Sequence, residues 1–280
     1  MTDDAVLYKT TPGKTRVPLY TGKLIHQFNH RFGEPCFWLE PTEARAALLP
    51  ARQKAIQRLA AEHGLECWVK PEELKLDYQS HRLAFRDVAR NTDERTMIAT
   101  ILPRGVFCPH TMSLEVVFHD EMTDGKLHLN VPGLNSSERF YLLAVFNSFV
   151  ADYQLRQKVT AHLSFFFIYN LPVPRLTLAD EAFGPIVQRA AQLIYTTHEF
   201  DGLAKKVTAA LKLPPAAVKG VTETAARARL RAELDGLVAN LYGLTESEFT
   251  HILSTFPLVP QGVKDAALAG FRAAGKGELQ

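Results

Sequence analysis

The hydrophobic positions of this chain are least evenly spread between Leu134 and Pro174, LNSSERFYLLAVFNSFVADYQLRQKVTAHLSFFFIYNLPVP. From Phe140 to Tyr153 apolar residues run almost all round a helical wheel, the pattern of a helix at the centre of a protein. Asn135 and Glu138 have the spacing of a capping box at its start. Asn147 and Ser148 interrupt the run, and buried polar groups need partners, so both are expected to bond nearby backbone. Ser164 to Tyr169 reads as a buried aromatic strand that Leu171-Pro172-Val173-Pro174 stops. The stretch as a whole reads as a junction fixing one domain against the next.

Around this stretch the pattern changes character. Thr42 opens a helical section that Pro50 breaks or restarts and Gly64 ends. Trp68 to Tyr78 is ambiguous, and His81 to Leu102 reads as two strands joined at Asn91-Thr92-Asp93. Ser113–His119 and Lys126–Val131 form a hairpin about Asp124-Gly125, with Leu127, Leu129 and Val131 alternating with polar residues. Beyond the centre, helices are expected over Ala179–His198 and Thr224–Tyr242, and from the Thr245/Glu248 capping box to Leu253. The predicted fold is α+β: a twisted, mainly antiparallel sheet domain over residues 15–175, a helical region over 176–258, and loose tails at 1–14 and 259–280.

Composition adds little: 46% hydrophobic and 22% charged residues are ordinary globular values. No apolar run reaches bilayer-spanning length and Met1 starts no signal peptide, so a cytoplasmic, non-membrane protein is expected. Cys36, Cys67 and Cys108 are too few and too scattered for a disulfide framework, which fits a reducing compartment. The net charge of +2 hides an asymmetry: residues 5–110 carry 16 Lys/Arg against 11 Asp/Glu, and residues 111–280 carry 16 against 17. Between Ala5 and Gly33 there are five cations and no carboxylate, the footprint either of a solvated arm or of a phosphate-contacting surface.

Nucleotide-binding glycine loops, zinc spacings, H-E-x-x-H and the G-x-S-x-G elbow are all missing, so no metal site is assigned. Glu72, Glu73 and Lys75 echo the acid-x-Lys element of metal-dependent nucleases, an arrangement that a solvated charge cluster also explains. In HRLAFRDVARNTDERTMIATILPR, Arg82, Arg86 and Arg90 share a side whether the segment is strand or helix. Guanidinium forks suit phosphate oxygens and guanine edges, and equally suit carboxylates on a solvated surface.

The segments LYTGKLIHQFNHRF (19–32), RLAFRDVARNTDERTMI (82–98), FNSFV (146–150) and LPVP (171–174) occur in one order that resembles the C-terminal target-recognition region of adenine-N6 DNA methyltransferases. These are the type IIG restriction-modification enzymes and related phage-defence methylases. The later pieces are also similar to type I restriction specificity subunits. The resemblance covers roughly Arg16 to Pro257 and implies sequence-specific recognition of double-stranded DNA. It places Lys23, Arg31, Arg82, Arg86, Arg90 and Arg95 against phosphates or bases, with His26, Gln27, Asn29 and Thr96 adding hydrogen bonds.

The methyltransferase half of that family, with its F-x-G-x-G loop and N-P-P-Y tetrapeptide, has no counterpart here. No catalytic residue is therefore assigned. S-adenosylmethionine is expected on a methyltransferase partner, with which a nuclease could travel. Two other readings stay open: a protein–protein assembly module without a DNA role, and a metal-dependent nuclease fragment.

Overall fold

The computed structural model describes residues 5–279, apart from the side chains of residues 5, 215 and 216. The architecture is α+β, with helices outweighing small antiparallel sheets. A short strand pair, β1 (Val17–Pro18) with β2 (Trp38–Leu39), closes the base of a long N-terminal loop. Lys9 joins this base through two backbone bonds to Trp38, so the arm is tied down from there on.

Helix α1 (Pro41–Glu62) runs straight through Pro50, where the sequence suggested a break. Pro50 is exposed, so its missing N–H leaves no buried carbonyl stranded. Gly64 ends the helix at φ +70°, as expected of a C-terminal glycine.

The central sheet has the order β4–β3–β5, with β3 (Arg82–Arg86) between β4 (Ala99–Leu102) and β5 (Met112–Leu114). Both pairings are antiparallel, and Leu83 lies opposite Ile101. Both faces of β3 are covered. Leu83 and Phe85 join the main core with the helices, while Ala84 packs with Tyr20, Leu24, Ile25 and Leu102 under the N-terminal loop.

The predicted hairpin is β6 (Phe118–Thr123) with β7 (Lys126–Pro132), turning through Asp124 and Gly125, both at positive φ as a type I′ turn requires. Ser113 and Leu114 belong to β5, not to this hairpin. Its Leu127 and Leu129 pack on Ile56 of α1, and Arg52 reaches Asp120 at 2.9 Å.

The expected central helix is two helices, α2 (Ser136–Asn147) and α3 (Phe149–Arg156). Ser148 is the hinge: extended at ψ 155°, it caps α3 by accepting from the Ala151 N–H. The Asn135/Glu138 capping box opens α2.

Two further expectations are corrected. Residues 165–169 form a short helix, α4 (Phe165–Tyr169), not a buried strand, and Phe166 and Tyr169 are 70% and 80% exposed. A continuous apolar run does not separate the two by pattern. After α5 (Phe183–Ile194), shorter than predicted, come α6 (Asp201–Ala210), α7 (Thr224–Leu241) and α8 (Glu246–Ser254), the last opened by the predicted capping box.

The expected loose tail beyond residue 259 is instead helix α9 (Gln261–Gly275), lying along α7 with Ala267 and Phe271 buried. Contact is possible because Gly236 and Gly270 meet there: a Cβ on Gly236 would fall 2.2 Å from the Gly270 carbonyl carbon. The main core also crosses the expected domain boundary at 175–176, joining Phe85 and Ile101 of the sheet to Ile186 and Leu234 of the helices.

Candidate nucleic-acid interface

The expected recognition residues lie on the loop from Leu19 to Phe37, on β3, and on the stretch that follows it. Gly22 lets the loop press on the sheet, since a Cβ there would sit 3.2 Å from the Thr111 carbonyl oxygen. His26 and Asn29 close a tight turn through paired backbone bonds of 2.8 and 2.9 Å, with Phe28 at φ +58° between them. Helix α7 holds this turn: Arg227 donates to the Phe28 carbonyl at 3.1 Å and Arg231 to the Gln27 side-chain oxygen at 2.8 Å.

Four of the ten expected contact residues turn inward and are corrected to structural roles. Arg95 is 5% exposed, pairs with Asp152 at 2.6 Å and donates to the Asn147 carbonyl, with its guanidinium stacked 4.1 Å from the Phe149 ring centre. Thr96, buried beside it, donates its backbone N–H to Asp152 and its hydroxyl to the Arg90 carbonyl. Gln27 donates to the carbonyls of Met97 and Asn147. Arg82 donates to the Val106 carbonyl beneath the loop. Arg82 and Arg86 do share a face of β3, but the loop covers that face and leaves only the Arg86 end open.

Asn29 is used within the turn, its side-chain oxygen accepting from the Arg31 N–H at 2.9 Å. His26 stacks on Phe32 at 4.8 Å, and burial, then the charges of Arg231 and Arg86, lowers its pKa to about 4. At neutral pH it is therefore an uncharged ring. Arg31 is exposed but ion-paired to Glu199 at 2.8 Å.

The remaining three cations converge. Lys23, Arg86 and Arg90 line one cleft of about 830 Å³, walled by Leu19, Leu24, Phe37, Val88 and Pro109 and also touched by Glu34 and Asp93. Arg86 donates from Nε and Nη2 to the Ile25 carbonyl, and its guanidinium lies 5.9 Å from the centre of the exposed Phe32 ring. Among the described residues, neither the Lys23 ammonium nor the Arg90 guanidinium has an ion-pair partner. A second cleft of about 520 Å³ shares Leu24, Gly33 and Glu34 with the first and adds Arg31 and Arg104. The two open on either side of the Gly33–Glu34 ridge.

Sequence reading missed Phe37 and Arg104, because each reaches its cleft only through the folded loop. The acid-x-Lys group is dispersed: Glu73 accepts from the Lys70 backbone N–H, and Lys75 lies 5.5 Å from the Phe118 ring centre. No three His, Cys, Asp or Glu side chains among the described residues are gathered to share a metal ion. Nor is any helix among them long and apolar enough to cross a membrane.

No family model, curated protein or solved structure matches the chain.

Proposed function

We propose that this chain recognises double-stranded DNA in a sequence-specific manner for an adenine-N6 methyltransferase of the restriction-modification or phage-defence kind. Catalysis and S-adenosylmethionine belong to a partner on this reading, and this chain supplies binding and orientation. The observation that carries it is the meeting of Lys23, Arg86 and Arg90 at one open cleft, none of the three ion-paired to a carboxylate among the described residues. Cations left unpaired at a surface are what phosphate oxygens require, and exposed Phe32 beside Arg86 gives bases a flat face.

The test is fluorescence anisotropy with a labelled duplex at two salt concentrations. Three phosphates neutralised give a log–log slope of about −2.7, hence a loss of about 40-fold in affinity between 50 and 200 mM salt. A chain that binds no duplex at low salt sinks the reading.

A second reading, an assembly module, is favoured by the aromatic face of α4, where Phe165 and Tyr169 stack at 5.7 Å and Phe166 stands in solvent. Exposed aromatic clusters of this kind mark protein contacts. The same salt titration separates the two, since an assembly module need not bind DNA.

A further inference from the structure

The three cations credited with DNA contact line the larger cleft; the smaller one, between the N-terminal loop and the turn after β4, is left without a use. Its volume of about 520 Å³ falls in the range of sites that enclose a small molecule. Tyr20 forms part of its wall. The residue is only 8% exposed, its ring packs with Leu24 and Val106, and its hydroxyl has no partner among the described residues. Burial, then the charge of Glu199, raises its pKa to about 12, so at neutral pH the phenol keeps its proton and can donate. Arg104 and Glu34 stand on the same wall, and neither is ion-paired among the described residues. Glu199 completes it with one oxygen in use. Its Oε2 takes Arg31 at 2.8 Å and the Thr197 hydroxyl at 3.0 Å, with His30 Nε2 3.5 Å away, while Oε1 has no donor among the described residues.

Two guanidiniums, Arg31 and Arg104, face two carboxylates, Glu34 and Glu199, so a ligand of one sign alone would meet like charge across the cleft. The uncommitted donors, Arg104 and Tyr20, complement a carboxylate; the uncommitted acceptors, Glu34 and Glu199 Oε1, complement an ammonium. Val17, Pro18 and Val106 add an apolar wall beside them. A molecule with a carboxylate and an ammonium on one carbon, and an apolar group on the same carbon, is an α-amino acid. We propose that the smaller cleft binds a free α-amino acid with a large apolar side chain, as its zwitterion. The carboxylate lies between Arg104 and Tyr20, the ammonium between Glu34 and Glu199, and the side chain against the apolar wall. This goes beyond duplex recognition and does not rest on it, since the two clefts share only Leu24, Gly33 and Glu34.

The experiment is calorimetric titration of the full chain with L-leucine and L-phenylalanine, beside L-leucinamide, which lacks the carboxylate, and N-acetyl-L-leucine, which lacks the ammonium. Leucine is expected to bind at least about tenfold more tightly than either analogue, because each analogue loses one set of charge-assisted hydrogen bonds. Arg104→Ala is expected to bring leucine and leucinamide to within about twofold of each other, and Glu34→Gln to do the same for leucine and N-acetyl-leucine. Both side chains are exposed, so both variants are expected to fold as the parent does. No binding of either amino acid at about 10 mM overturns the proposal. Equal affinity for leucine and its two analogues reduces the cleft to an apolar grip and also overturns it. Leucine binding that neither substitution weakens puts the site elsewhere, with the same result.

Discussion

Arg95 and Asp152 meet at 2.6 Å in the interior, 57 residues apart in sequence, and neither group is open to solvent. The pair pins the loop after β3 to the Ser148 hinge: Asp152 also takes the backbone N–H of Thr96, and Arg95 the carbonyl of Asn147. Removing one partner strands the other charge in an apolar setting, at a cost of about 3–5 kcal/mol. Arg95→Ala is therefore expected to shift the urea midpoint strongly downward. A variant with unchanged midpoint and weakened DNA binding would return Arg95 to the recognition surface.

Asn147 offers a sharper test of the same joint. Its side chain donates to the Ala99 carbonyl and accepts from the Ala99 N–H, each at 3.0 Å, closing the free edge of β4. Asn147→Asp keeps the shape but cannot donate and adds a buried charge. It is expected to destabilise more than Asn147→Ala, itself costing about 2–3 kcal/mol for stranded buried groups. Denaturation of the two variants side by side gives the order.

Asp235 gives the joint a pH signature. Fully enclosed, it accepts from the Phe149 N–H, and burial raises its pKa from 3.8 to about 6. The folded state then holds the proton more tightly than the unfolded state. Its contribution is therefore complete below pH 3.8 and is lost as pH rises through about 6. His26, lowered by burial, acts in the opposite sense over much of that window. The quantity to measure is thus the difference in stability between wild type and Asp235→Asn from pH 4 to 7. The variant is expected to gain on wild type by about 2 kcal/mol across that range; a constant difference would mean that Asp235 titrates normally.

At the cleft, Lys23→Ala with Arg90→Ala is expected to weaken duplex binding at low salt and to flatten the salt slope by about 1.8. Both side chains are exposed, so the melting temperature should stay within a degree or two. An unchanged slope would remove these residues from the interface.

Gly236→Ala tests the docking of α9. The added methyl would meet the backbone of Gly270 and Phe271, which no side-chain rotation relieves. Destabilisation of at least about 2 kcal/mol is expected, read as a lowered thermal midpoint.

What the sequence disclosed was largely local. The Asp124-Gly125 turn, the two capping boxes and the glycine at 64 are each set by residues within a few positions of one another, and all stand as read. Spacing put Arg82 and Arg86 on one face but not the direction of that face, which depends on a loop sixty residues upstream. The burial of Arg95 depends likewise on Asp152, and that of Gln27 on Arg231, 204 residues away. Pattern also misjudged α4 and α9, one for an apolar run that suits helix or strand equally, the other for small residues that look loose until a second helix lies against them.

Helix α7 deserves its consequence. Its middle, at Ala232 and Gly236, presses backbone to backbone on α9, and Arg227 and Arg231 grip the turn that presents Phe32. A stiff rod fastened at both places carries displacement with little loss, so a shift of α9 is passed on to the loop that carries Phe32.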